Sequence, residues 1–243
     1  MHERGIRTYM RTGTTWALAA MLAVGLSLSG AARAWAADDV QDANQLVEKA
    51  KLSVEEFQKD PNMEGFRELA KKAHGMLILP QMIRGAFIIG ASGGSGVFVA
   101  RGAPGEPWKG PAFYTLGGAS FGFQAGGDVA EVIILAMTER GVSKLLSPQV
   151  KLGADISVTA GPVGAGAAAA TAGLSADLVS YSMAKGLYGG FSVDGSVAGV
   201  RTSMNHAYYG KEVTPTDILI KGDVKNPQAA PLLEKVTALG GGK

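Results

Sequence analysis

Glycine residues recur inside the segments of this chain whose side chains alternate between apolar and polar, and this combination constrains the fold most strongly. In residues 187–200, for example, Leu187, Phe191, Val193 and Val197 share one face with three glycines. Glycine inside a strand marks a bulge, a bend or a close approach of backbones. The chain has 35 glycines and 10 prolines without a Gly-X-Y period, so collagen and flexible linker are excluded. The pattern predicts a small, tightly curved sheet.

Helical spacing of apolar side chains is found mainly towards the two ends of the chain. Residues 38–59 and 61–74 predict a pair of helices, residues 139–146 a short helix, and residues 232–239 a last helix. Most of the chain between the first pair and the last helix alternates with period two and is broken by Gly-Gly and Ser-Gly turn signals. We therefore expect an α+β fold: a curved, largely antiparallel sheet or partly closed barrel, with N-terminal and peripheral helices.

The clearest strand prediction covers residues 151–160. Alternation places five apolar side chains on one face of this strand: Leu152, Ala154, Ile156, Val158 and Ala160. Residues 187–200 alternate in the same way. Shorter candidate strands are residues 86–91, 96–101, 113–116, 120–125, 129–137 and 176–185.

The N-terminal segment has the organisation of a secretory signal peptide. Three arginines precede the uncharged apolar stretch 16–28, and small residues follow up to an A-x-A site that ends at Ala36. The apolar stretch is shorter than the roughly 20 residues that span a bilayer, which disfavours the alternative of a retained membrane anchor. We expect cleavage near Ala36, a periplasmic or secreted location, and a single domain over residues 37–243.

The charge of the chain changes when this segment is removed. The full sequence carries a net charge of +2, but four arginines and one glutamate lie in residues 1–36, so the mature chain carries −1. A nearly neutral protein lacks the broad positive field of a nucleic-acid-binding protein. We therefore expect no nucleic-acid partner, and any anion site must be a local cluster of basic side chains.

The residue types that build common metal and redox sites are scarce. The chain has no cysteine, which excludes disulfides, thiolate catalysis, cysteine zinc sites and the N-terminal acyl anchor of a lipoprotein. His74 and His206 could be combined with Asp155 or Asp194, but their spacing matches no metal motif. We expect neither a metal nor another cofactor.

No catalytic motif is recognisable either. Ser180, Asp177 and His206 are the residue types of a hydrolase triad, but the chain has no G-x-S-x-G motif. The glycine strings lack the lysine of a phosphate-binding P-loop and the strand-to-helix setting of a dinucleotide site. We expect that the protein is not an enzyme.

Several segments, in the same order, resemble the SYLF domain family, also called the Ysc84 actin-binding domain family. The segment KAHGMLILP, which begins at Lys72, resembles the opening block of the family, and KLGADISVTAGPVG, which begins at Lys151, resembles its most diagnostic block. The other matching blocks are residues 85–98, 108–127, 181–195 and 205–210. The resemblance covers roughly residues 45 to 221, which is nearly all of the mature chain.

This resemblance implies a lipid-binding module. Members of the family bind membranes through anionic phospholipids, eukaryotic members prefer phosphoinositides, and yeast members also bind actin. Two departures limit what can be transferred. The predicted signal peptide indicates an exported protein, so we expect no actin partner, and His74 replaces the usual lysine of the first block.

The expected lipid-headgroup residues are the local basic cluster Lys71, Lys72 and Arg84. A turn near Pro80 could bring these three side chains to one edge of the fold. The alternative is that both lysines are solvated at a helix end, where cations suit the helix dipole without any ligand. The second choice for a headgroup site is Lys151, Lys185 and Arg201.

The function expected from these observations is noncatalytic binding of anionic phospholipid at the periplasmic face of the cell envelope. Basic side chains would contact phosphate groups while apolar residues at the sheet rim enter the membrane interface. The alternative is a structural or interaction protein that pairs with another envelope protein through exposed sheet edges. The sequence does not identify such a protein partner.

Overall fold

The chain folds into a curled sheet, a half-barrel, with helices at its N-terminus and periphery. The computed structural model describes residues 39–86, 89–121, 126–161, 176–184, 187–188 and 192–241. The helices are α1 (39–59), α2 (Glu64–Ala70), α3 (Glu139–Leu145), α4 (Thr202–Tyr209) and α5 (Ala230–Leu239). The strands are β1 (Gly75–Ala86), β2 (Ile89–Ala100), β3 (Lys109–Phe121), β4 (Gly126–Ala136), β5 (Gln149–Lys151), β6 (Val158–Ala160), β7 (Leu178–Ala184), β8 (Leu187–Tyr188) and β9 (Val197–Val200).

The expected fold class is confirmed, and the four predicted helices form where the sequence places them. Asp60 begins the turn before α2, since its side chain accepts a hydrogen bond from the Asn62 amide and proline follows it. Thr138 caps α3 by accepting from the amide of Gly141 at 2.9 Å. The helix α4 was not predicted, and no side chain caps its N-terminus.

The strand order in the sheet is β5-β9-β3-β2-β1-β4-β7-β6, and β8 pairs with β7. Neighbouring strands along this path pair antiparallel, except β6 with β7, which are parallel. The four long strands β1 to β4 therefore lie at the centre of the sheet, next to one another. The antiparallel expectation is confirmed.

The sheet has a hydrophobic cluster on each of its two faces. On one face Met76, Ile78 and Phe113 pack with the helices α1, α2 and α5. On the other face Leu77 and Tyr114 pack with residues of α3, β5 and the π-helical turn Asp217–Lys221. We call these the α1 face and the α3 face. Burial on both faces explains the unbroken apolar runs within these strands, such as residues 76–79.

Only one half of the four long strands is covered in this way. The closed half consists of residues 75–79, 96–100, 111–114 and 132–136, all of which are buried. The other half, which we call the shelf, consists of residues 81–85, 91–95, 115–119 and 127–131. Many residues of the shelf are exposed or half-buried, so the strands extend beyond the packed core.

A β-bulge at Pro80 separates the two halves of β1. The register shifts between Ile78 and Gln81 against β2, and between Leu79 and Met82 against β4. Proline cannot donate to a ladder, so a central strand tolerates it at a bulge. The extra residue exchanges the faces of β1: even-numbered residues face α1 before the bulge and odd-numbered residues face α1 after it.

The prediction of one continuous strand over residues 151–160 is wrong. A turn with Gly153 at a φ of +83° interrupts it, and Leu152 and Ile156 are connected only by an isolated bridge. Both of these side chains are buried, but Ala154 and Ala160 are exposed, so the five apolar residues do not share one face. Residues 187–200 are not one strand either, because residues 192–196 lie outside the strands that flank them.

Arg101 is a buried charge that the sequence did not reveal. Its side chain is 3% exposed, stacks on Trp108 at 4.6 Å, and donates to the backbone carbonyls of Ala73 and Lys71 at 2.9 and 2.7 Å. Burial lowers the pKa of the Arg101 guanidinium. Because these carbonyls end the α2 segment, Arg101 caps that helix and joins it to the loop after β2.

Candidate functional site

The α1 face of the shelf carries two exposed apolar side chains that are direct cross-strand neighbours. Ile83 of β1 pairs with Val129 of β4 on one side and with Gly93 of β2 on the other. Ile83 is 54% exposed and Val129 is 46% exposed. Gly93 in turn pairs with Gly117 of β3. Across the strands, the apolar pair Val129 and Ile83 is therefore continued by two glycines, whose backbone carries no side chain.

The next row towards the strand tips has no side chain larger than a methyl group. It is formed by Gly127, Gly85, Ala91 and Ala119, which are cross-strand partners and are all exposed. A Cβ atom added at Gly85 would meet no atom within 4 Å. Packing inside the protein therefore does not require glycine here, although glycine inside a strand costs roughly 0.5–1 kcal/mol relative to alanine. Such glycines are typical of surfaces that another molecule approaches closely.

An open trough runs between the shelf and the edge of α1. Its first part has a volume of about 280 Å³ and ends at the start of α4, and its second part has about 410 Å³ and extends towards β7. Both parts are lined by Lys49, Pro80 and Gln81, so they adjoin at the bulge. Ile83 lines the first part and Val129 the second, so the exposed apolar pair lies along the trough.

The charged side chains of the trough are unevenly distributed along its length. Arg201 and Asp42 line the part near α4, Glu56 and Glu131 line the part near β7, and Lys49 borders both. A hydrogen bond of 3.1 Å from Arg201 to the hydroxyl of Ser95 holds the guanidinium at the floor. Lys49 belongs to α1, and only the tertiary structure places it opposite β1.

Glu131 is a half-buried acid of the trough. Burial raises the pKa of its carboxyl, a hydrogen bond with Ser53 of α1 opposes that shift, and the neighbouring charge of Glu56 adds to it. Its Oε2 atom is buried and has no hydrogen-bond partner among the residues that the structure describes. A buried acceptor without a donor is uncommon in native proteins, and an ordered water or a ligand can supply the donor.

The three residues first chosen as a headgroup site do not come together. No turn forms at Pro80, because β1 continues through the bulge to Ala86. Lys71 and Lys72 precede the strand and Arg84 lies near its far end, so about 30 Å of extended chain separates them. The expectation of one cluster is therefore wrong, because a strand with a bulge stays extended whereas a turn would reverse the chain.

The individual surroundings of these residues also differ. Lys71 is exposed and pairs with Glu68 of the same helical segment at 2.7 Å. Arg84 lies on the α3 face of the shelf. It forms a bidentate ion pair with Asp128, in which its Nε and Nη2 atoms donate to the two carboxylate oxygens at 3.0 and 2.7 Å. These hydrogen bonds raise the pKa of Arg84 and lower the pKa of Asp128, because each charge stabilises the other. The charge of Arg84 is thus partly neutralised.

The second set of basic residues is divided as well. Arg201 lines the trough, Lys151 is exposed at the end of β5, and Lys185 lies outside the described residues. Of the five predicted basic residues that the structure describes, Arg201 alone borders the trough. The position of Arg201 directly before the helical segment 202–209 was a signal for its place at the trough, but that helix was not predicted.

The residue types considered for catalysis have structural partners of their own. Asp177 accepts hydrogen bonds from Thr138 and Ser157 at 2.7 and 2.9 Å and pairs with Arg140 at 3.0 Å. Ser180 donates to the carbonyl of Thr159. Within the described ranges, no group of three or more histidine, aspartate or glutamate side chains is arranged to hold a metal ion. In the same ranges, no helix is long and apolar enough to cross a bilayer.

Comparison with known proteins shows which family the chain is similar to. Residues 117–239 match the model of the Ysc84 family, which is described as "Las17-binding protein actin regulator". The chain is 36% identical over 169 residues to Protein YSC84 of Saccharomyces cerevisiae, which is 67% of this chain and 35% of that protein. It is 33% identical over 166 residues to human SH3 domain-containing YSC84-like protein 1, which is 67% of this chain and 48% of that protein.

A further yeast protein, LAS seventeen-binding protein 3, is 32% identical over 173 residues, which is 70% of this chain and 37% of that protein. The matched region of each of these three relatives is less than half of its length. The similarity therefore concerns the module described above and leaves the rest of each relative unmatched.

Proposed function

Because the chain belongs to the Ysc84 family, we propose that it is a noncatalytic module that binds anionic phospholipid, acting at the periplasmic face of the cell envelope. The names of the relatives refer to actin and to a Las17 protein, and the predicted export of this chain is the reason not to carry those partners over. The observation that carries the proposal is the shelf, where exposed apolar side chains lie beside basic ones.

The apolar part of the binding surface is Ile83 with Val129. About half of each side chain is exposed, so transfer into the membrane interface is worth about 1 kcal/mol for each. The small residues in the next row let the backbone of the shelf approach a bilayer without a protruding side chain.

The electrostatic part is supplied by Lys49 and Arg201 in the trough. Near an anionic surface each such cation contributes on the order of 1 kcal/mol. Together with the apolar pair this amounts to about 4 kcal/mol, which corresponds to a Kd of about 1 mM. The protein would therefore bind membranes weakly and reversibly, and several copies or a high local concentration would be needed for stable attachment.

The test is co-sedimentation with phosphatidylcholine vesicles that contain 30% phosphatidylglycerol, at low and at high salt. The double variant Lys49→Gln, Arg201→Gln is expected to lose binding by roughly thirtyfold, since two cations are removed. The matched control is Lys71→Gln, Lys72→Gln, which removes the same charge at the opposite end of β1 and should bind like the parent.

Two results would contradict this function. If the parent protein does not sediment with anionic vesicles at low salt, phospholipid binding is wrong. If the control variant loses binding and the trough variant keeps it, with both melting like the parent, the headgroup surface lies at the closed end of the sheet.

The alternative of pairing through sheet edges has less support from the described strands. The two strands at the ends of the sheet order, β5 and β6, are each three residues long. Short edge strands offer few free backbone groups to a partner. Binding to an envelope protein that resists high salt would nevertheless favour this alternative.

A further inference from the structure

Besides Asp42, the charged side chains of the trough are Arg201 towards α4, Lys49 in the middle, and Glu56 and Glu131 towards β7, an order that suits a ligand with both a phosphate and an ammonium group. We propose that the trough selects phospholipids whose headgroup bears a primary ammonium beside the phosphate, with Lys49 and Arg201 binding the phosphate and Glu131 and Glu56 binding the ammonium. This inference rests on the function proposed above, since it names the headgroup class that the same trough takes.

The first argument is that three of these charged side chains have no partner of opposite charge among the described residues. Lys49, Arg201 and Glu56 take part in no ion pair among the described residues. Elsewhere on the described surface, Glu55 of the same helix pairs with Lys235 at 3.1 Å, and Lys51 pairs with Glu48. The trough therefore differs from the outer faces of α1, where charges of opposite sign are paired.

The second argument is the unsatisfied oxygen of Glu131. The Ser53 hydroxyl interacts with the Glu131 carboxyl, and Oε2 of that carboxyl is buried without a donor in the described part of the chain. A primary ammonium brings three N–H donors and a positive charge, so it satisfies that oxygen and neutralises the carboxylate at once. A quaternary ammonium brings the charge without any N–H donor, and a glycerol headgroup brings hydroxyl donors without the charge.

The third argument is spacing. Lys49 and Ser53 are four residues apart in α1, which is about one helical turn, or 5.4 Å. Because Glu131 bonds to Ser53, its carboxyl lies about one turn from the position of Lys49 along the trough. An ethanolamine headgroup joins its phosphate to its ammonium through two carbons, so both ends can be bound at once. The exposed Ile83 and Val129 lie alongside, where the acyl chains would leave the trough.

The test compares three vesicle compositions with the full mature chain. The vesicles contain phosphatidylcholine alone, phosphatidylcholine with 30% phosphatidylglycerol, and the latter with a further 30% of phosphatidylcholine replaced by phosphatidylethanolamine. The replacement exchanges a quaternary for a primary ammonium at constant surface charge. We expect it to tighten binding about fivefold.

The decisive variant is Glu131→Gln, which keeps the shape of the side chain and removes its charge. We expect this variant to bind phosphatidylglycerol vesicles at least as well as the parent and to lose the gain from phosphatidylethanolamine. Glu106→Gln is the matched control, because Glu106 lies in the loop after β2, at the closed end of the sheet, and should keep the gain.

The possible outcomes separate the two proposals. Phosphatidylglycerol binding without any gain from the primary ammonium overturns the headgroup selectivity and leaves the proposed function intact. A gain that survives in Glu131→Gln also overturns it, because the effect then comes from lipid packing. Absence of binding to every composition overturns the proposed function itself.

Discussion

The closed half and the shelf are built from the same four strands, yet their glycines have different causes. In the closed half, a Cβ atom at Gly96 would collide with the carbonyl oxygen of Ile78, so close packing of β1 against β2 requires glycine there. On the α1 face of the shelf, the nearest atom to a Cβ at Gly93 would be the Leu116 carbonyl oxygen at 3.8 Å, which is an ordinary contact. Glycine is thus required by internal packing in the closed half and also at Gly94 on the α3 face of the shelf, whereas the contacts around Gly93 and Gly85 on the α1 face of the shelf do not require it.

Buried acids differ between the two halves in the same way. Asp177 lies at the closed end of the sheet and receives hydrogen bonds from Thr138, Ser157 and Arg140, which lower the pKa of its carboxyl. Glu131 lies on the shelf with Ser53 as its hydrogen-bonding side chain, and burial raises its pKa. Glu131 thus differs from Asp177 in that one of its carboxylate oxygens, Oε2, has no donor among the described residues.

The largest expected difference between the halves comes from a buried charge. Ile134→Asp places a carboxylate in the closed half, where Ile134 is fully buried, and should cost several kcal/mol, comparable to the whole stability of a domain. Ile83→Asp places the same group on the shelf and should change stability by less than about 0.5 kcal/mol. Thermal melts followed by circular dichroism compare the two variants, and similar melting temperatures would remove the distinction between the halves.

Glycine substitution is expected to have the next largest effect. Gly96→Ala should destabilise the protein by about 1–3 kcal/mol, because backbone in the closed half must move to admit the methyl group. Gly93→Ala should be neutral or stabilise by up to about 1 kcal/mol, since the methyl group enters open space and the unfolded chain loses freedom. Urea unfolding measures both. A large loss of unfolding free energy in Gly93→Ala would show that this part of the shelf is closely packed.

The two acids predict opposite dependences of stability on pH. The pKa of Asp177 is lowered by folding, so its contribution is present above the unfolded pKa near 4 and is lost as the pH falls through the folded value. Asp177→Asn should therefore cost about 1–2 kcal/mol at pH 7 and less at pH 3.

The pKa of Glu131 is raised by folding, so its contribution is present below the unfolded value and is lost as the pH rises through the folded one. Glu131→Gln should stabilise the protein at pH 7 by roughly 0.5 kcal/mol and have no such effect below pH 4. Unfolding curves at pH 3, 5 and 7 for both variants test the signs. A loss of stability at pH 7 in Glu131→Gln would mean that the fold itself needs the charge.

The smallest expected effect on stability concerns the ion pair on the α3 face of the shelf. Exposed pairs contribute about 0.2–1 kcal/mol, so Asp128→Asn should leave the melting temperature nearly unchanged. It removes the carboxylate that neutralises Arg84 and should therefore strengthen binding to phosphatidylglycerol vesicles about threefold to tenfold. Unchanged binding would restrict the membrane contact to the α1 face.

The sequence alone determined which segments form helices at the two ends, the α+β class, and the family resemblance, because each of these depends on local periodicity or on blocks of contiguous residues. It could not locate the trough. Whether Ile83 or Arg84 faces α1 depends on one extra residue at Pro80, and a shift of one residue exchanges the faces of a strand. Lys49 and Arg201 are more than 150 positions apart in the chain and border one trough only because α1 crosses the sheet next to the start of α4.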